Sequence, residues 1–223
     1  MIYLSAAWTP ALADAQEMGY FIGTLCTPVN GAGSSFTTIH QPKNKTPDDR
    51  ILWAADTGIF GKTPFSLTRY LHKLEQWRFA QEQCLFATAP DVVADWSGTL
   101  EQSLPVIPAI KELGYPVALV LQNGATSETV PWDILDAVFV GGTTEWKLSE
   151  DAYALVADAK RRGLWAHMGR VNSLRRLQAA DIAGYDSADG TYIAYGPDLN
   201  SRQLLSWLDN LTLQPRMKLV SGG

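Results

Sequence analysis

The sequence predicts a single α/β domain folded as a closed (β/α)8 barrel of the TIM type, and three observations predict it. From about residue 51 onward, short apolar runs alternate with longer segments of helical periodicity, the pattern of β-α units around a parallel sheet. The runs end in polar groups at Asp56, Asp91, Gln122, Glu145, Arg170 and Asp189. A barrel collects such ends around one mouth, whereas an open sheet spreads them along a line. No GxGxxG or GxxxxGKS/T follows any run, so the phosphate loops usual in open nucleotide-binding sheets are missing.

Taken in order, Ile2–Ala6 and Phe21–Leu25 read as the first two strands, with a helical segment, Ala11–Met18, between them. Ile51–Ala55, Cys84–Thr88, Val117–Leu121, Ala137–Val140, Leu164–Met168 and Tyr185–Ala188 supply six more, which makes eight. The intervening helices are predicted over Pro64–Phe79, Thr99–Leu113, Glu150–Arg162 and Ser173–Ala183. In the third of these, Leu155, Val156 and Ala159 form an apolar stripe opposite Asp158, Lys160 and Arg161, and Gly163 follows as a stop. Pro105 and Pro108 lie inside the second, which predicts a kink or a late start. Residues 26–50 form a long connection rich in Gly, Pro, Ser and Thr, expected to be a lid or binding loop, and 211–223 read as a tail.

A chain of 223 residues, 46% hydrophobic, can bury one large core and fits one domain spanning 1–223. Barrels typically take about 250 residues, so trimmed helices or recruitment of a second copy as a homodimer are expected. No apolar run reaches the ~18 to 20 residues that span a bilayer, and the N-terminus lacks signal-peptide features, so no membrane partner and a cytoplasmic location are expected. Cys26 and Cys84 are the only cysteines and show no CxxC spacing, which points to neither a disulfide framework nor a cysteine zinc site. The net charge of −5 argues against overall positive potential but leaves room for a local basic groove.

Asp56 and Asp189 each precede a glycine within two residues, which lets the chain turn and a ligand approach. Two carboxylates across a mouth can serve as nucleophile and general acid/base at an acetal-type carbon; the plainer reading is a helix cap at each site. Asp186 competes with Asp189 for the same role. Asp91 and Gln122 can read the edge of a flat heterocycle, Asp accepting and Gln both donating and accepting. Gly141 and Gly142 bare their backbone next to the same ligand, although a tight turn also explains them.

Arg175 and Arg176 fall in the first turn of a predicted helix, where the dipole disfavours cations. With Arg170 they could hold nucleic-acid phosphates at the mouth. Lys160, Arg161 and Arg162 precede a strand and read as a solvated helix terminus at the opposite end. His40, His72 and His167 are scattered, and His167, in an apolar strand, reads as a hydrogen-bonded core histidine. No metal site is indicated.

The ordered set Ala55-Asp56-Thr57-Gly58-Ile59-Phe60, Ala89-Pro90-Asp91, Val120-Leu121-Gln122-Asn123-Gly124, Val140-Gly141-Gly142-Thr143-Thr144-Glu145-Trp146-Lys147, His167-Met168-Gly169-Arg170-Val171-Asn172-Ser173 and Asp186-Ser187-Ala188-Asp189-Gly190-Thr191 resembles the tRNA-guanine transglycosylase superfamily. The resemblance runs from about residue 50 to 208 and is nearest to the phage branch, the DpdA-like proteins. It implies a (β/α)8 barrel that replaces guanine by a 7-deazaguanine, such as 7-cyano-7-deazaguanine, without breaking the polynucleotide backbone, in DNA for the phage branch. It further implies that Asp189 is the nucleophile at C1′, that Asp56 takes part in proton transfer, and that Asp91, Gln122, Gly141 and Gly142 bind the heterocycle. Met168 would pack on the base, and no redox cofactor is called for; Glu145 is grouped with the base-binding residues as one that orders the adjoining loop.

The family's DSGGFQ segment has become Asp56-Thr57-Gly58-Ile59-Phe60-Gly61, and its cysteine-rich zinc element, associated with tRNA binding, has no counterpart. That favours DNA over tRNA as partner. Three other readings stand beside this one: a tRNA-guanine transglycosylase, a nucleoside or glycoside hydrolase using the same carboxylates with water, and a non-catalytic barrel that binds bases or nucleic acid.

Overall fold

The computed structural model describes residues 1–28, 40, 51–59 and 65–213. Eight parallel strands close into a barrel in sequential order: β1 Ile2–Ser5, β2 Ile22–Cys26, β3 Trp53–Ala55, β4 Cys84–Thr88, β5 Val117–Leu121, β6 Ala137–Val140, β7 Trp165–Met168 and β8 Ser187–Gly190. Closure is made by β1 and β8, which pair in parallel from Ile2 opposite Ser187 to Ser5 opposite Gly190. The expected (β/α)8 barrel is thus the fold of this chain. The strands are short, and each alternates its side chains between two different cores.

Leu4, Leu25, Ala54, Phe86, Ala118, Val120, Ala137 and Phe139 point inward and fill the barrel as one cluster. Their neighbours Tyr3, Trp53, Ala87, Leu119, Val138, Val140, Ala166, Met168 and Ala188 point outward and form a second cluster beneath the helices. Both faces are buried, so the strands read as unbroken apolar runs, as parallel strands do. Inside, three alanines make room for two phenylalanine rings that meet edge to face at 6.3 Å. A slip of one residue would exchange the two cores, which pins the register.

Among the described residues, eight helices surround the strands: α1 Pro10–Glu17, α2 Leu67–Gln76, α3 Trp96–Ser103, α4 Ile107–Glu112, α5 Thr144–Lys147, α6 Glu150–Arg161, α7 Leu174–Ala183 and α8 Pro197–Leu213. Thr9, Ser66, Asp95, Thr143, Ser149 and Ser173 cap the first three, α5, α6 and α7 with side-chain oxygens, which is how the loops after the strands become helix starts. Arg162 closes α6 and Gly163 follows with φ of 74°, the predicted stop.

Some boundaries differ from the sequence prediction. The segment 99–113 is two helices, because Pro105 interrupts the ladder and Pro108 begins the second. The helix predicted to run to Phe79 ends at Gln76 and continues as a 3-10 turn, Arg78–Gln83. β8 begins and ends two residues later than predicted, so Asp189 belongs to the strand rather than to the loop after it. The unpredicted α8 buries Leu204, Trp207 and Leu208 and is tied to α1 by Thr9 and Ser201, whose hydroxyls lie 3.0 Å apart. Of the expected lid at 26–50, only 26–28 and His40 are described, and the tail lies outside the described residues beyond Leu213. No described helix is long and apolar enough to cross a membrane.

Candidate active site

One step beyond Leu25, Val120 and Phe139, the inward positions change from apolar to polar or bare: Thr27, Asp56, Thr88, Gln122, Gly141, Gly169 and Asp189. With Asp91, Gly142, Lys147 and Arg170 they line a cavity of about 330 Å³ at the carboxyl ends of the strands. That is an ordinary size for a small-molecule site, roughly 300–1,000 Å³, at the end of a barrel where such sites lie. Strand alternation explains the lining: each strand delivers its last inward side chain to the same rim.

Asp189 is 7% exposed, and both hydrogen bonds of its carboxylate among the described residues fall on Oδ1, from His167 Nε2 at 3.1 Å and the Arg170 backbone N–H at 3.2 Å. His167 is fully buried between the rings of Phe86 and Phe139, at 5.2 and 4.5 Å. Its Nδ1 lies 2.8 Å from Ser187 Oγ, which also accepts from Trp165 Nε1 at 2.8 Å. The Asp189 carboxylate can only accept, so Nε2 carries the ring proton toward it; in the neutral ring Nδ1 then accepts from the Ser187 hydroxyl, whose oxygen accepts from the indole N–H. The order Trp165, Ser187, His167, Asp189 therefore has one direction. Arg170 takes the left-handed conformation, φ 59°, which aims its N–H at the carboxylate. A Cβ on the neighbouring Gly169 would lie 2.4 Å from Phe139 Cε1.

Asp56 hangs from β2 by its backbone N–H to Cys26 O at 2.8 Å, and its Oδ1 accepts from Gly58 N–H at 2.6 Å. Burial raises its pKa; the Gly58 N–H opposes this, and the charge of Asp189 adds to it. Asp91 is buried and accepts from Gln122 Nε2 at 2.6 Å. Burial, reinforced by the nearby Asp56 charge, pushes its pKa up to about 7. Gln122 in turn accepts from Ala94 N–H at 2.9 Å, so its amide cannot rotate freely. A Cβ on Gly141 would fall 2.7 Å from Gln122 Nε2, and the bare backbone is what admits that side chain.

The remaining predicted residues separate. Met168 points outward into the core under the helices and does not line the cavity, because β7 alternation gives the inward place to His167; the expected packing on a base is corrected on this ground. Glu145 is exposed in the first turn of α5, away from the cavity lining, where the helix dipole favours a carboxylate. Arg170 reaches the cavity; Arg176 donates to Arg170 O at 3.4 Å, and Arg175 is exposed, both on the first turn of α7 beside the mouth. Asp186 lies before β8, where both its oxygens accept from Lys160 Nζ at 2.6 Å and Oδ2 also accepts from Ala166 N–H at 2.8 Å. It is a clasp at the far end of the barrel, which removes it as a rival to Asp189. Lys160 is exposed at the helix terminus, as expected, and also belongs to that clasp.

Two site residues escaped the sequence reading of the mouth. Lys147 is 2% exposed, lines the cavity and donates from Nζ to Gly169 O at 2.7 Å. Burial, helped by the positive Arg170, lowers its pKa to about 8. The other is His167, predicted as a hydrogen-bonded core histidine, which it is, but whose partner is the candidate nucleophile. Among the described residues no group of three or more His, Cys, Asp or Glu side chains is disposed to hold a metal ion.

No family model and no curated protein matches the chain. Among solved structures, the chain is similar to a cube-shaped, highly porous protein cage designed by fusing symmetric oligomeric domains, with a TM-score of 0.54 and 15% identity over 94% of this chain and 70% of that one. At that identity the likeness concerns the fold alone.

Proposed function

We propose that this barrel is a base-exchange transglycosylase acting on guanine in DNA and inserting a 7-deazaguanine. The observation that carries the reading is the placement, around one cavity, of a carboxylate oriented through a single oxygen, Asp189, and a hydrogen-bonded acid-amide pair, Asp91 and Gln122. The pair suits the N–H and carbonyl edge of a guanine-type base, and the carboxylate suits the sugar carbon attached to it.

A target nucleotide turns out of the stack into the cavity. Asp189 Oδ2 attacks C1′, forming a C1′–O bond as the C1′–N9 bond breaks and its electron pair passes to the base. Asp56, whose carboxyl is pushed upward by burial, gives a proton to the departing ring. The incoming 7-deazaguanine loses its N9 proton to Asp56, attacks C1′ through N9, and releases Asp189 as a carboxylate. The polynucleotide backbone and the oxidation states are unchanged. Arg170, Arg175 and Arg176 supply a cationic rim for phosphates.

The test is to express the protein with a 7-deazaguanine supply and to analyse the nucleosides of DNA and tRNA separately by mass spectrometry. Modified base in DNA, lost in Asp189→Asn with DNA binding retained, is the expected result. Modification only in tRNA, or in neither polymer, overturns the DNA reading; release of free base and abasic sites without any deazaguanine identifies a hydrolase.

A further inference from the structure

Lys147 is the buried cation that this mechanism leaves without a task. Its helix, α5, has four residues, and the lysine at its end turns back over the mouth to the carbonyl at the end of β7. Among the described residues, Gly169 O is the one acceptor its Nζ meets, so two of its three N–H bonds remain for a ligand in the cavity it lines. Gly141, Gly142 and Gly169 line the same cavity with bare backbone. A buried cation in such a place selects by charge, because an unpaired or repelled charge is expensive away from water.

The order of groups around the mouth fixes which part of a base would meet it. Ionised Asp91, after β4, only accepts, and takes N1–H and N2–H of a guanine-type ring. Gln122, after β5, has committed its oxygen to Ala94 N–H and one N–H to Asp91, and its second N–H suits O6. With N9 directed to Asp189 on β8, position 7 then comes against β6 and β7, beside Lys147. We propose that Lys147 reads the substituent at position 7, donating to a neutral acceptor such as a nitrile and excluding a cationic group such as an aminomethyl. The inference rests on the transglycosylase reading and names the substrate class of the same cavity.

Direct calorimetric titration of the full chain with guanine, 7-cyano-7-deazaguanine and 7-aminomethyl-7-deazaguanine, below the pH at which Lys147 loses its proton, tests it without requiring turnover. The wild type should bind the cyano base at least about tenfold more tightly than the aminomethyl base, a modest demand for a site with a buried polar partner. Lys147→Arg should keep the preference, Lys147→Met should abolish it, and Lys147→Glu should reverse it, with thermal unfolding confirming that each variant is folded. A preference that persists in Lys147→Met, or a wild type that favours the aminomethyl base, overturns the role of Lys147 alone. A wild type that binds none of the three bases overturns the transglycosylase reading as well.

Discussion

His167 Nε2 lies 3.1 Å from Asp189 Oδ1 and couples the carboxylate to the interior of the barrel. Behind it stand Ser187 and Trp165, each within 2.8 Å of the next group. These bonds hold one oxygen of Asp189 and leave Oδ2, the proposed nucleophile, without one among the described residues. If orientation is its contribution, His167→Asn should lower kcat for base exchange by about 10- to 100-fold, the scale of a small misplacement of a reacting group. KM for the incoming base should stay near the wild-type value, since Asp91 and Gln122 are untouched. Ser187→Ala should act in the same direction and more weakly. Steady-state kinetics on a DNA substrate separate the two parameters, and a change confined to KM would show that the relay has another role.

The same relationship shows how much of the site was legible. Asp56, Asp91, Gln122 and Asp189 could be read as polar ends of apolar runs, because parallel strands carry that pattern in one dimension. His167 could be read only as a core histidine, since its partner lies 22 residues away and becomes adjacent when β7 and β8 pair, His167 opposite Ser187. Met168 belongs to the same motif as His167, but the alternation of β7 turns it away from the cavity. Lys147 looks locally like an ordinary cation at a helix C-terminus. Only the turn of α5 back toward Gly169 makes it part of the mouth.

On the transglycosylase reading, base binding should depend on pH through two groups with opposite requirements. Asp91 must be ionised to accept from the base, and its pKa is pushed up to about 7 by burial and the Asp56 charge, so affinity rises with pH through that value. Lys147 must be protonated to donate, and burial brings its pKa down to about 8, so affinity for an acceptor-bearing base falls above it. Titrations across this range should give a bell with its maximum between the two values. In Lys147→Met the alkaline limb should disappear while the acid limb remains.

Asp91 also loads the fold. Its carboxyl is raised from 3.8 to about 7, so the folded state binds the proton more tightly than the unfolded one. The stability this confers is complete below the unfolded pKa and is lost as pH rises through the folded one. Asp91→Asn, which can still accept from Gln122 Nε2, should therefore raise the thermal midpoint at pH above the folded value and lose that advantage near the unfolded one. The gain should come with loss of base binding. Thermal unfolding of both proteins across that interval checks the sign, and a stability difference independent of pH would show that Asp91 titrates alike in the folded and unfolded protein.

Gly169 answers a packing question at the floor of the same cavity. A Cβ there would lie 2.4 Å from Phe139 Cε1 and 2.8 Å from Cζ, and Phe139 cannot withdraw easily because its ring lies 4.5 Å from that of His167. Gly169→Ala should therefore destabilise by about 1–3 kcal/mol, the range for overpacked cores. Adding Phe139→Leu removes the atoms that collide and leaves a small cavity of its own, so the double variant should be less destabilised than the sum of the two single changes. Denaturant titrations of the four proteins give the coupling directly. Strict additivity would mean that the alanine methyl is accommodated by movement of β7, in which case the Arg170 N–H would also leave Asp189 and base exchange would fall even in the double variant.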